Sequence, residues 1–239
     1  NFFIKVDVIQ EKMSKSKYNV VNPDDVIAEY GADCFRMFEM FLGPIESHKP
    51  WQTKGIDGVA KFLRKLWSLF YNEDDNLIVN DEKPSEKELK VLHTCIKKIN
   101  DDIERFSFNT CVSSFMICVN ELNDLNCHKK TILEDLVKLI SPFAPHTAEE
   151  LWRSLGHTNS VVKDVAYPQH NEAFLTESVI NYLVSINGKM RVKIDLDANI
   201  TQEKAKEIVL ANETVQKWTE NKPIKKFIFV PKRIVNIVV

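Results

Sequence analysis

From Thr53 to Gly156 apolar residues return every three or four positions in stretch after stretch, and the links between the stretches are short. Ile56, Val59, Phe62, Leu63, Leu66, Trp67 and Phe70 line one side of the first, over about 53–71. Three more follow near 85–106, 108–126 and 129–140. Ser141-Pro142-Phe143-Ala144-Pro145 breaks the last of these, and a short helix resumes through Glu149, Leu151 and Trp152 to Gly156. A helix with one apolar face must bury it, and short links leave only antiparallel neighbours to bury it against. The middle of the chain is therefore predicted to be a helical bundle. Residues 72–88 are acidic and carry Pro84, which reads as an exposed connection.

The two ends read differently. Phe3 to Ile9 alternates like one strand, and the lysine-rich stretch Gln10 to Asn19 (QEKMSKSKYN) comes next. Asn22-Pro23-Asp24-Asp25 then combines an N-cap residue, a proline at the first helical position and acids in the first turn. That helix should run to about Tyr30 and stop at Gly31. A second, starting at Asp33, carries Phe35, Met37, Phe38 and Phe41 before Gly43-Pro44. Beyond residues 157–173, Val179 to Leu196 alternates around Asn187-Gly188, the dipeptide of a two-residue hairpin turn. Thr201 caps a further helix, and Lys225–Val230 and Ile234–Val239 read as strands. The whole is a mainly α chain followed by a small α/β domain.

Composition narrows the function classes. The 239 residues carry a net charge of -2, so any basic surface must be local. It is: from Thr176 onward nine Lys and two Arg face seven acids, whereas residues 71–90 hold three Lys and seven acids. The five cysteines (Cys34, Cys95, Cys111, Cys118, Cys127) are odd in number and lack a C-x-x-C pair. Most sit in apolar helical contexts, which suits reduced core thiols of a cytosolic protein rather than disulfides or zinc ligands. Cys111 and Cys118 share a helix face without the further ligands a structural zinc requires. No apolar run is long enough to span a membrane and there is no signal-peptide pattern. A strand-like segment directly after Asn1 suggests a chain cut from something longer.

Lys12, Lys15 and Lys17 on one pliable loop can close over a polyphosphate and neutralise the charge on leaving pyrophosphate. Ser14 and Ser16 let the backbone approach closely and can donate hydrogen bonds. The plainer alternative is a solvated linker; the preceding strand and the capped helix that follows favour the loop. Near the other end, Lys189, Arg191 and Lys193 alternate on one strand and are expected to face one side, with Lys225, Lys226, Lys232 and Arg233 flanking the last strands. Few aromatics accompany them, so phosphate and shape contacts suit them better than base stacking, and a merely solvated sheet face is the alternative. Lys61, Arg64 and Lys65 read as ordinary exposed helix charge. Trp51, Trp67 and Trp152 read as packing residues, His146 as a cap or bridge between helices, and Asp24 and Asp25 as helix-start acids.

KMSKS followed by NVVNPDDVIAEYGADCFRMFEMFLGP resembles the signature loop and stem of class I aminoacyl-tRNA synthetases. PWQTKGIDGVAKFLRKLW, FNTCVSSFMICVNEL, LISPFAPHTAEELW, VSINGKMRVKIDL and KKFIFVPKRIVNIVV are similar to the leucyl-tRNA synthetase family in particular, in that family's order and over essentially the whole chain. The resemblance implies three parts: loop and stem at the end of a catalytic domain (1–45), an anticodon-binding-type bundle (46–172) and a tRNA-binding α/β domain (173–239). It implies a bacterial-type, cytoplasmic, monomeric enzyme that makes leucyl-adenylate from ATP and passes leucine to leucine tRNA. Lys15 would touch the phosphates of ATP, Lys12 and Ser16 would shape the closed loop, and Met13 would anchor it in an apolar pocket, with Ser14 completing the motif loop. Magnesium would accompany ATP, held mainly outside this chain, with no structural metal within it. The family's Rossmann half and its H-x-G-H-type motif do not occur here, so the chain is expected to be the C-terminal part and inactive alone. The same region of an isoleucyl or valyl enzyme is a second reading, disfavoured by the missing zinc-type cysteines and by the SINGKMRVKI stretch. A free-standing helical interaction module without RNA function is a third.

Overall fold

The computed structural model describes residue 9 and residues 11–175, 179–197, 200–219, 222–231 and 233–239. The strand expected at 3–9 lies outside these residues apart from Ile9, and Lys232 lies outside them too. The chain divides into two compact units, 1–175 and 176–239.

In the first unit the helices start where their caps dictate. Helix α1 (Pro23–Tyr30) begins with the Asn22 side chain accepting from the Asp24 N–H, with Pro23 in its first turn. Gly31 separates it from α2 (Ala32–Phe41). Helices α3 (Ile56–Trp67), α4 (Glu86–Glu104), α5 (Phe108–Asp124), α6 (Lys130–Ile140) and α7 (Pro145–Ser154) complete the bundle. At the head of α4 the Ser85 hydroxyl accepts from the Glu88 N–H while Glu88 Oε2 accepts from the Ser85 N–H at 2.6 Å. This reciprocal cap satisfies two donors that helix geometry leaves open.

The apolar faces read from the sequence converge. Ile56, Val59, Phe62 and Leu66 of α3, Val112, Phe115, Val119 and Leu122 of α5, and Leu133, Leu136, Val137 and Ile140 of α6 are all buried in one core. Val26, Cys34, Met37 and Phe38 of α1 and α2 belong to the same core, so the stem packs as part of the bundle. The Pro-Phe-Ala-Pro break between α6 and α7 drives Phe143 edge-on against Phe115, with ring centroids 5.1 Å apart. Trp51 packs edge-on against Phe38 at 5.2 Å, and Trp67 stacks on Tyr71. Gly55 is required beside this cluster, because a Cβ there would lie 2.9 Å from the Phe38 ring.

The second unit is a four-stranded sheet in the order β2-β1-β4-β3, from β1 (Val179–Ile186), β2 (Lys189–Asp197), β3 (Lys226–Val230) and β4 (Ile234–Val238). β1 runs antiparallel to β2 and parallel to β4. The parallel pair requires a crossover, supplied by α8 (Gln202–Ala211) and α9 (Glu213–Thr219). Asn187 and Gly188 both take positive φ (48° and 78°), the geometry that the tight hairpin turn demands. Tyr182, Val184, Ile186, Ile194, Leu196, Val235 and Ile237 form the core with Ala205, Val209 and Val215 of the helices. Thr201 caps α8 as expected, and α9 is an addition to the elements legible in the sequence.

Candidate functional site

The lysine loop leads into α1. Lys15–Lys17 forms one 3-10 turn, closed by Lys17 N–H to Ser14 O at 3.0 Å and Tyr18 N–H to Lys15 O at 3.3 Å. Tyr18 reverses the chain at φ 52°, a left-handed conformation in which a residue with a Cβ is strained, and its side chain is 96% exposed. Asn19 then reaches back: its Oδ1 accepts from the Ser14 N–H at 2.8 Å and its Nδ2 donates to the Lys12 carbonyl at 3.4 Å. The Ser14 and Ser16 hydroxyls share a hydrogen bond of 2.6 Å.

The three lysines are not equivalent. Lys17 is paired with Glu11 at 2.8 Å. Lys12 and Lys15 are exposed and make no ion pair among the described residues. Met13 is 41% exposed in this conformation, so the apolar pocket expected for it does not come from the described residues around the loop. The arrangement offers two free ammonium groups and two small hydroxyls to an anion. It does not suit a metal: the one carboxylate of the loop, Glu11, is already paired, and no group of three or more His, Cys, Asp or Glu side chains among the described residues could hold an ion.

The basic residues of the second unit sort differently from the expectation. Val184 pairs with Val192 but Ser185 pairs with Met190, so Arg191 is the extra residue of a β-bulge. Residues directly opposite in an antiparallel pair share a face. Lys193, opposite Leu183, therefore lies on the face away from the helices, whereas Lys189, opposite Ile186, lies on the helix-covered side. The expectation that Lys189, Arg191 and Lys193 form one row is thus corrected, because the bulge resets the alternation between them. Arg191 instead stacks its guanidinium 3.6 Å from the centroid of the Trp218 ring on α9, and its Nε has no hydrogen-bond partner among the described residues.

Strand pairing regroups the remaining cations. Lys226 is opposite Val238 and shares the open face with Lys193. Lys189, Lys225 and Lys226 lie at the same end of the sheet, where the hairpin turns, since Lys225 N–H bonds to Val238 O and Asn187 N–H to Ile237 O; Lys189 is on one edge strand and Lys226 on the other. Arg233 sits at the opposite end, in the turn between β3 and β4. Asp195 and Asp197 occupy the open face further along β2, so the positive potential is concentrated toward the hairpin. On the bundle, Lys65 is engaged with Asn120 at 2.8 Å. His146 contributes only its backbone N–H, which donates to Asp33 of α2, and its side chain is exposed.

Among the described residues, no helix is long and apolar enough to cross a membrane. Residues 87–208 match the family model for the anticodon-binding domain of tRNA ligase, and residues 4–48 match tRNA synthetases class I (I, L, M and V). Two leucine–tRNA ligases are similar over nearly the whole chain. That of Bacteroides thetaiotaomicron is 57% identical over 229 residues, 96% of this chain and 24% of the relative. That of Cytophaga hutchinsonii is 58% identical over 228 residues, 95% of this chain and 25% of the relative. The chain thus spans about a quarter of the length of these relatives. Among solved structures, an Agrobacterium radiobacter LeuRS in ternary complex with tRNA and LeuAMS aligns with a TM-score of 0.65 at 29% identity, over 95% of this chain and 31% of that one.

Proposed function

The chain belongs to the anticodon-binding domain family of tRNA ligases, and from that premise we propose that it is the C-terminal part of a leucine–tRNA ligase. In this reading it lends the lysine loop to leucine activation and a bundle and basic sheet to the docking of leucine tRNA. The reading divides it into loop and stem (1–45), bundle (46–172) and tRNA-binding domain (173–239).

The observation that carries the proposal is the pair of ammonium groups, Lys12 and Lys15, left without an ion pair among the described residues on a loop that Asn19 closes back on itself. Adenylate formation releases pyrophosphate, and negative charge grows on the leaving oxygens. Cations already aimed at that charge lower the barrier more than they tighten substrate binding. Lys15, at the head of the 3-10 turn, is assigned to the phosphates; Lys12 and Ser16 shape the loop around them. The similarity to leucine–tRNA ligases supports this assignment. The leucine pocket and the remaining ATP contacts belong to the rest of the enzyme, as does magnesium, which would offset phosphate charge there.

For the tRNA, the cations at the hairpin end of the sheet, Lys189, Lys225 and Lys226, together with Lys193, are the proposed phosphate contacts, with Arg233 near the opposite end; Lys232, outside the described residues, is proposed from the sequence alone. Shape and charge, rather than base reading, suit a surface with so few exposed aromatics.

Lys15→Ala in the full-length enzyme tests the activation half. Leucine-dependent ATP–pyrophosphate exchange should fall by roughly 100-fold, the usual effect of deleting one preorganised transition-state donor, with the melting temperature unchanged. Exchange at the wild-type rate would remove Lys15 from the ATP site. Binding of leucine tRNA across a salt series, with a tRNA lacking the long variable arm as competitor, tests the docking half.

A further inference from the structure

We propose that Asn19 is a positioning residue for the lysine loop: its side-chain amide clasps the backbone at Lys12 and Ser14 and so holds Lys12 and Lys15 in the geometry that receives the triphosphate. The inference rests on the reading of the loop as the ATP-phosphate contact.

Besides the exposed Lys17–Glu11 ion pair and the Ser14–Ser16 hydroxyl bond, neither of which touches Lys12 or Lys15, the loop has little else to hold it. No residue from Glu11 to Asn19 is buried, so no apolar core fixes its path. Its lysines repel one another, which favours spreading over a compact turn. The bonds Lys17 N–H to Ser14 O and Tyr18 N–H to Lys15 O close the turn, but neither extends back to Lys12. Among the described residues, Asn19 alone ties the far side of the turn to both Lys12 and Ser14, by one acceptor at 2.8 Å and one donor at 3.4 Å. The amide imitates the paired edge of a neighbouring strand, and Met13 is bracketed between its two contacts.

The residue type follows from this arrangement. A primary amide carries a donor and an acceptor on one carbon, and here both are used. Aspartate offers only acceptors: it keeps the Ser14 contact and sets a carboxylate against the Lys12 carbonyl. Alanine offers neither. The left-handed Tyr18 brings Asn19 into reach, and its exposed ring makes no packing contribution that would explain the reversal otherwise. An ammonium held in place before the reaction needs no reorganisation during it, which is how a residue that touches no substrate can change the rate.

The experiment uses the full-length protein and four forms: wild type, Lys15→Ala, Asn19→Ala and Asn19→Asp. Leucine-dependent ATP–pyrophosphate exchange, transfer of leucine from preformed adenylate to tRNA, and the melting temperature are measured for each. Asn19→Ala should lower kcat for exchange by about 10-fold or more, because a catalytic group displaced by an ångström can cost up to ~100-fold. KM for leucine, the transfer step and the melting temperature should not move. Asn19→Asp, retaining one of two contacts, should fall between alanine and wild type. Exchange by Asn19→Ala within about twofold of wild type, with Lys15→Ala slow, would overturn the clasp and leave the reading of the loop intact. A parallel loss of exchange, transfer and melting temperature would also overturn it, by showing a general structural defect. Wild type without leucine-dependent exchange, or Lys15→Ala as fast as wild type, would overturn the reading and the clasp together.

Discussion

Asp33 and Thr147 stand 114 positions apart, and one carboxylate oxygen of Asp33 accepts both the Thr147 backbone N–H at 2.6 Å and its hydroxyl at 2.7 Å. The other oxygen accepts the His146 N–H at 3.3 Å. Helix α7 begins at Pro145 with Ala144 at its N-cap, a residue with no side chain to satisfy the first amides. Asp33 supplies that cap from α2, with a charge that favours the positive end of the helix dipole. Asp33 is only 6% exposed, and its loss leaves partly buried donors at the head of α7 unpaired. Asp33→Ala should destabilise the bundle by about 2–3 kcal/mol, the range for a buried charge-assisted hydrogen bond, and Asp33→Asn by less. Urea unfolding of the two variants checks this; a midpoint unchanged in Asp33→Ala would show that the cap is dispensable.

A buried histidine makes the end of the bundle sensitive to acid. His93 on α4 accepts the Asn171 N–H at its Nδ1 and stacks on Phe174 at 4.7 Å, tying residues 171–174 to the bundle. Burial holds its pKa below the ordinary 6.5; the nearby Asp135 opposes that shift and His170 adds to it. A folded pKa below the unfolded one means that the stabilisation is complete above pH 6.5 and is lost as the pH falls through the lowered value. His93→Gln keeps an acceptor and does not titrate. The urea midpoint of the wild type should therefore drop more between pH 7.5 and pH 5 than that of His93→Gln. Equal drops would mean that His93 plays no part in the acid response.

All five cysteines are buried. Burial raises Cys34 to about 11 and Cys111 and Cys127 to about 12, while Cys118 is pushed up first by its hydrogen bond with Cys95 and then by burial. The thiolate is the reactive form, so alkylation of Cys34, Cys111, Cys118 and Cys127 in the native protein at pH 8 should be more than ~100-fold slower than in denaturant. A thiol that reacts rapidly in the native protein would show that its helix opens locally.

The features legible in the sequence were those carried by local period or local caps. The faces of α3 to α7, the Asn22-Pro23 start, the Asn187-Gly188 turn and the Thr201 cap all lie within a few residues of the cause that produces them. The Asp33 cap was not legible, because nothing near Asp33 indicates a helix that begins more than a hundred positions later. Helix α9 escaped because seven residues are too few to show a period. Asn19 escaped because an amide after a turn reads as loop composition until its two partners are known. The bulge at Arg191 was invisible for a further reason: the strand keeps its alternating letters, and only the pairing with β1 reveals that the register slips.

That slip separates two cations that sequence spacing had joined. Arg191 stacks on Trp218, which remains 50% exposed, and the pair fastens β2 to α9. Arg191→Ala should lower the stability of the second unit by about 1 kcal/mol, the order of a partly exposed cation–π contact, and change the salt dependence of tRNA binding little. Lys193 lies exposed on the open face with Lys226 and makes no ion pair among the described residues. Lys193→Ala should leave stability unchanged and reduce the slope of log K against log salt by about 1, with a similar further reduction in the Lys193→Ala/Lys226→Ala double variant. Thermal melts and a tRNA-binding salt series on the same four proteins separate the two roles. If Arg191→Ala flattened the salt slope without loss of stability, the guanidinium would be a phosphate contact, and the RNA would lie on the helix side of the sheet rather than on its open face.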